Sequence, residues 1–182
     1  MKRKRFAEMS VFKMLLSLFC VALMAAGCGS NMTSKVEASN DESLKEFSTW
    51  TPILNGDKAF KSAGHGGILV KSYLNPIAKA HLDKMEVPYP LPEGSVLAKA
   101  VVSSADTSSK DASRVYFMKK EKSGFDSANG DWSYALAKRV NGTLAFDPSV
   151  KPREASCISC HVKFAEYDYV KTVDIYRNQK VL

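Results

Sequence analysis

Two thiols and an imidazole stand within five residues near the end of the chain, in Cys157-Ile158-Ser159-Cys160-His161. The pattern C-x-x-C-H is the spacing of c-type haem attachment. Thiols at that separation add across the two vinyl groups of one porphyrin and form thioethers. The adjacent histidine is then held under the iron as its proximal ligand. Each rival use of the motif lacks something. A C-x-x-C redox pair belongs with a βαβ pattern, and none precedes this one. Structural zinc wants a fourth ligand, and His65 and His81 are the only other histidines. A plain disulfide leaves His161 without a role. The motif therefore reads as one covalent haem c, attached through Cys157 and Cys160 and ligated by His161.

The other two cysteines, Cys20 and Cys28, fall in an export leader. Lys2-Arg3-Lys4-Arg5 is a basic n-region, and Met14 to Ala26 is almost wholly apolar but short of the ~20 residues of a membrane span. Ala25-Ala26-Gly27 supplies small residues before Cys28. This resembles the lipobox of bacterial lipoproteins, although Ala25 stands where leucine is usual and Leu23 lies two residues further back. The competing reading is ordinary cleavage after Gly27. Residues 1–27 read as a signal peptide and residues 28–43 as a lipid-anchored flexible tether, polar and nearly free of large apolar residues. Residues 44–182 remain as one domain. Either cleavage reading places it outside the cytoplasm, on the periplasmic side of a bacterial membrane, where covalent haem attachment takes place.

Composition agrees with one globular domain: 45% hydrophobic and 25% charged residues. The leader carries five basic residues and one acid, so without it the net charge of +7 falls to +3. That mixed balance argues against nucleic acid as a partner.

The elements that must position the motif are mostly strands. Ser43-x-x-Glu46 has the form of a capping box for a short helix through Leu44, Phe47 and Trp50. Residues 68–73 are β-rich, and Asn75-Pro76 reads as the cap and first residue of a helix to about Lys84. Ser95–Val102 is a nearly continuous apolar run and predicts a buried strand. Arg114–Lys120 and Trp132–Val140 predict two more, and Asn141-Gly142 predicts a hairpin to Thr143–Phe146. The haem motif follows Pro152, at the start of a helix predicted to reach Ala165. A C-terminal haem motif on a β-rich domain does not match the common helical cytochromes.

Residues 91–171 resemble the cytochrome P460 family. The resemblance is carried by Pro92-Glu93-Gly94-Ser95-Val96-Leu97-Ala98-Lys99, by Phe125, by Gly130-Asp131-Trp132-Ser133-Tyr134, by Cys157–His161 and by Asp168-Tyr169-Val170. Gly64-His65-Gly66 and Tyr73-Leu74-Asn75 match more weakly. The resemblance implies an α+β fold: a curved antiparallel sheet of five strands or a similar number, with short helices enclosing one c-type haem, usually as a homodimer. It also implies five-coordinate iron and two branches. Cytochromes P460 oxidise hydroxylamine by way of nitric oxide and carry a lysine cross-linked to the haem. The β-type cytochromes c′ lack the cross-link and bind small gases such as NO.

Lys99 matches the cross-linking lysine. The residues themselves make it unusual, since it is the only charge between Ser95 and Val102. On its own strand face it lies between Leu97 and Val101. A buried lysine is costly unless paired or neutral, and the neutral amine is the form that could attack a porphyrin carbon. The competing reading is a lysine at the sheet edge, snorkelling to solvent. Hydroxylamine-oxidising members place a glutamate over the distal haem face. Here that position is Tyr116, with no acid between Asp111 and Glu121. Met118 is a candidate sixth iron ligand, although a strand methionine is more often core. His65 is a pocket candidate, and His81 on its short helix reads as surface. Phe117, Trp132 and Tyr134 read as core aromatics.

Three functions remain open. The first is redox chemistry on hydroxylamine or NO, with electrons leaving to a periplasmic carrier. The second is gas binding of the cytochrome c′-β kind, and the third is plain electron transfer. All share the export reading, which mass spectrometry of the mature protein tests. Acylated Cys28 is expected at the N-terminus, and an unmodified N-terminus removes the anchor.

Overall fold

The computed structural model describes residues 42–84 and 89–179. The expected signal peptide, all but the last two residues of the expected tether, and the lipidation candidate Cys28 lie outside those residues. The described chain is α+β. Seven strands form one open, curved antiparallel sheet: β1 (Thr51–Pro52), β2 (Phe60–Ser62), β3 (Ile68–Leu74), β4 (Val96–Val101), β5 (Arg114–Lys120), β6 (Trp132–Val140) and β7 (Thr143–Phe146). Their order is β1-β3-β4-β5-β6-β7, and β2 pairs with the other end of β3 on the same side as β1. Among the described residues the short α-helices include α1 (Pro76–Leu82), α2 (Ala155–His161) and α3 (Thr172–Asn178), besides a helical segment at 42–46 and several 3-10 turns.

Both faces of the sheet are covered, which explains why β4 reads as an unbroken apolar run rather than an alternation. One face carries Tyr73, Val96, Ala98, Ala100, Val115 and Phe117, packed under Phe47 and Trp50. Phe47 meets Tyr73 and Phe117 edge to face, with centroids 6.1 and 5.9 Å away. The other face carries Leu74, Leu97, Met118, Trp132 and Tyr134, packed against α1 and α3 through Ala78, Leu82, Val173 and Tyr176. The Asn75 side chain ties this second layer to the sheet. Its Oδ1 accepts from the N–H of Ala78 and from that of Val96, both at 3.0 Å, and its Nδ2 donates to the Gly94 carbonyl at 2.9 Å. Pro76 follows at the first helical position, where its missing N–H costs nothing.

The predicted strands at 114–120, 132–140 and 143–146 are present with those bounds. Asn141 and Gly142 both have positive φ, 50° and 83°, as the two-residue hairpin turn demands. The curved antiparallel sheet is as expected, though larger, and three other expectations need correction. The sheet has seven strands because β1 and β2 add to it, and at two and three residues they are too short to show a period. Residues 42–46 are already helical, so Ser43 lies within that segment rather than at the position before it. The haem-motif helix ends at His161 and gives way to a 3-10 segment, Val162–Tyr167, kinked at Phe164. His81 is half-buried, with its Nε2 enclosed and unbonded among the described residues.

If Asn75 carries the junction, Asn75→Ala should cost about 1–3 kcal/mol in urea unfolding, since a cap and two further buried bonds are lost together. Asn75→Asp, which keeps the acceptor, should lose less.

Candidate functional site

The register of three strands sets one wall of the site. Ser72 of β3 pairs with Lys99 of β4, and Lys99 pairs with Tyr116 of β5. Residues directly opposite in an antiparallel sheet share a face, so these three polar side chains form one row across it. The next row, Leu74, Leu97, Met118 and Tyr134, is apolar and belongs to the core. The helix α2 and the loop after it close the opposite side. Between them lies a cavity of about 670 Å³. Its lining includes Ser72, Lys99, Tyr116 and Met118 from the sheet and His65 from the turn before β3. Cys157, Cys160 and His161 line it from α2, and Tyr169 and Val170 from the loop.

The sequence candidates therefore converge. Cys157 is half-buried and Cys160 exposed, and both are free thiols. One turn of α2 separates them, and His161 follows at its C-terminal end. The His161 ring is fixed by two contacts. Its Nδ1 lies 2.8 Å from the Tyr169 carbonyl, so Nδ1 carries the proton and donates it. The Tyr134 ring lies 5.5 Å away, centroid to centroid. With Nδ1 engaged, Nε2 is the nitrogen left to bind a metal. Among the described residues no three His, Cys, Asp or Glu side chains gather as a metal site.

On the far wall His65 lies against Tyr116, with ring centroids 4.6 Å apart, and its Nδ1 meets Ser62 Oγ at 2.9 Å. Burial lowers the His65 pKa to about 4, helped by the charges of Lys99 and of His161. Burial also lowers the Lys99 amine to about 8, a large displacement toward the neutral form. His161 is likewise held below its ordinary value by burial, partly opposed by its bond to the Tyr169 carbonyl. Burial pushes the Cys157 thiol up, so it is not a preformed thiolate.

Met118 lines the cavity and is also core. Phe117 faces the other layer. Sequence reasoning assigned no role to Ser72, Ser62 or Tyr169. The alternation of Ser72 with Val70 and Leu74 was the available signal for the first. Ser72 Oγ is buried and unbonded among the described residues, a polar atom facing a space that protein does not fill.

A porphyrin fits this arrangement. The cavity is of ligand-pocket size, ~300–1,000 Å³. It is apolar along the Leu97–Met118 row, one imidazole nitrogen is open, and two free thiols stand beside it. A family model described as Cytochrome P460 matches residues 44–172. No curated protein matches the chain significantly. Membership of that family implies haem binding.

The His65 pKa makes a prediction with a sign. Between about 4 and 6.5 the unfolded chain binds more protons at this site than the folded one. Stability should therefore fall as the pH drops through that window. An NMR titration before haem attachment should place the His65 midpoint near 4, and Lys99→Met should raise it by removing a nearby positive charge.

Proposed function

The chain belongs to the cytochrome P460 family, and from that premise we propose that it is an exported monohaem c-type cytochrome acting on hydroxylamine or a related small nitrogen compound. The observation that carries this reading is that Cys157, Cys160, His161 and Lys99 all line one cavity. Cys157 and Cys160 would hold the haem by thioethers and His161 Nε2 would ligate its iron. A haem so held supplies an iron that can bind a small nitrogen ligand and take up its electrons.

The protein residues divide the remaining work. Leu97, Met118 and Val170 exclude water from one side of the cavity. His161 is locked in one tautomer by the Tyr169 carbonyl. Oxidation of hydroxylamine releases protons as well as electrons, so the pocket needs an acceptor. The glutamate of efficient members is absent, and Tyr116 occupies its position. His65 lies against Tyr116, but with its pKa lowered by burial to about 4 it is a weak proton acceptor at neutral pH, so the pocket is short of a base where the glutamate is missing. Lys99, with its amine lowered to about 8, is neutral in about a tenth of molecules at pH 7, far more than an exposed lysine, and is the group for a cross-link to the porphyrin. Electrons would pass to a periplasmic carrier, with the domain tethered to the membrane through Cys28.

A second reading, gas binding of the cytochrome c′-β kind, is favoured by one observation. Tyr116 supplies no carboxylate at the matching position, and the acid that does line the cavity, Asp174, is engaged by the Tyr89 hydroxyl at 2.9 Å. Two variants separate the readings. Lys99→Leu should abolish a red-shifted ferrous Soret band and hydroxylamine oxidation while leaving NO binding. An unchanged spectrum would mean that Lys99 is not attached. His65→Ala should slow hydroxylamine turnover by much less than the roughly 10²-fold that follows loss of an efficient proton acceptor, because a base with a pKa of about 4 takes little part in proton transfer at neutral pH. NO binding without hydroxylamine turnover in the unmutated protein selects the gas-binding reading.

A further inference from the structure

Lys120 and Asp168 form a buried ion pair, Nζ to Oδ1 2.6 Å, with side chains 11% and 7% exposed. Lys120 ends β5, and Asp168 lies in the loop between α2 and α3. The second carboxylate oxygen accepts the Leu91 N–H at 2.8 Å. The ammonium also stands 5.0 Å over the ring of Trp132, which is fully buried. A buried pair of this kind is weak support for stability, because apolar residues of similar volume often do as well or better. It calls for another reason.

The backbone beside it supplies one. Asp168 and the next residue, Tyr169, both have positive φ, 49° and 66°. Consecutive non-glycine residues in that region persist only where the surroundings impose them, and such sites cluster at function. The consequence of the turn is the placement of the Tyr169 carbonyl, 2.8 Å from His161 Nδ1. The Tyr169 ring is held from the opposite side. It fills the space above Gly130, where an added Cβ would lie 2.3 Å from Tyr169 Cε2. Gly130 itself has φ +69°, so the glycine is required twice over.

We propose that the Lys120–Asp168 pair is a positioning device for the haem-ligating histidine. It holds the left-handed turn that aims the Tyr169 carbonyl at His161 Nδ1, and so sets the orientation of the imidazole and its donation toward iron. The inference rests on His161 being the iron ligand, as above. A carbonyl accepting from Nδ1 raises the basicity of the ligating nitrogen. More donation stabilises ferric iron, so weakening this bond raises the reduction potential.

The test uses the haem-loaded protein and its variants Lys120→Met, Asp168→Asn and Lys120→Arg. Lys120→Met and Asp168→Asn should raise the reduction potential and lower the ferrous iron–histidine stretching frequency. Lys120→Arg, which keeps the charge, should return both toward the wild-type values. Folded, haem-loaded Lys120→Met and Asp168→Asn proteins with unchanged potential and frequency, losing only melting temperature, would overturn the proposal. Should Lys120→Met not fold, the wild type decides. In its CO-bound ferrous form the His161 Nδ1–H should exchange slowly with solvent, and rapid exchange would overturn the proposal. A wild type that binds haem with no iron–histidine band would instead count against the ligand assignment of His161.

Discussion

A single register governs the site. Pairing of β3, β4 and β5 places Ser72, Lys99 and Tyr116 opposite one another. A slip of one residue would send all three into the layer packed under Phe47 and Trp50. That layer is closed by aromatic packing, and the buried lysine it does hold, Lys71, is paired with Asp57 at 3.0 Å. The apolar rows on either side thus fix where the polar row must lie, and the polar row defines the cavity wall. The stability of the sheet and the chemistry of the site are therefore the same constraint seen from its two faces.

What the cavity does to charge follows from its dryness. His65, Lys99 and His161 are all bases, and burial moves each toward its neutral form. The charge of Lys99 lowers both histidines further. The result is a pocket whose two histidines are held toward the neutral form and whose lysine has a larger neutral fraction than an exposed one. Such a pocket suits an iron centre, because an imidazole must be neutral to ligate a metal and an amine must be neutral to bond carbon. The charged pair Lys120–Asp168 lies in the scaffold beneath the turn that holds His161.

Much of this was legible in the sequence, and unevenly. Strands of seven to nine residues showed their pattern, and Asn141-Gly142 announced its hairpin. The anomaly of Lys99 was visible because the residues flanking it on the strand are apolar. The strands β1 and β2 were not visible, because two or three residues carry no period. The helix α3 was missed as well. It packs by Val173 and Tyr176, with Ile175 left exposed, which is too brief a stripe to stand out. Pocket members brought in from distant segments were hardest of all. His65 and Tyr116 lie some fifty residues apart in the chain and meet only because β2, β3, β4 and β5 fold side by side. The motif Asp168-Tyr169-Val170 was noticed, but its part in holding His161 is a matter of backbone angles that residue types do not reveal.

The central claim is that Cys157, Cys160 and His161 make this cavity a covalent haem site. The most direct measurement is the mass of the denatured chain, expressed with haem-attachment machinery and extracted with acid acetone. The account predicts one haem retained per chain, with thioether-linked haem on the tryptic peptide that carries Cys157 and Cys160. Haem that extracts completely, with both thiols then free to alkylate, would contradict it.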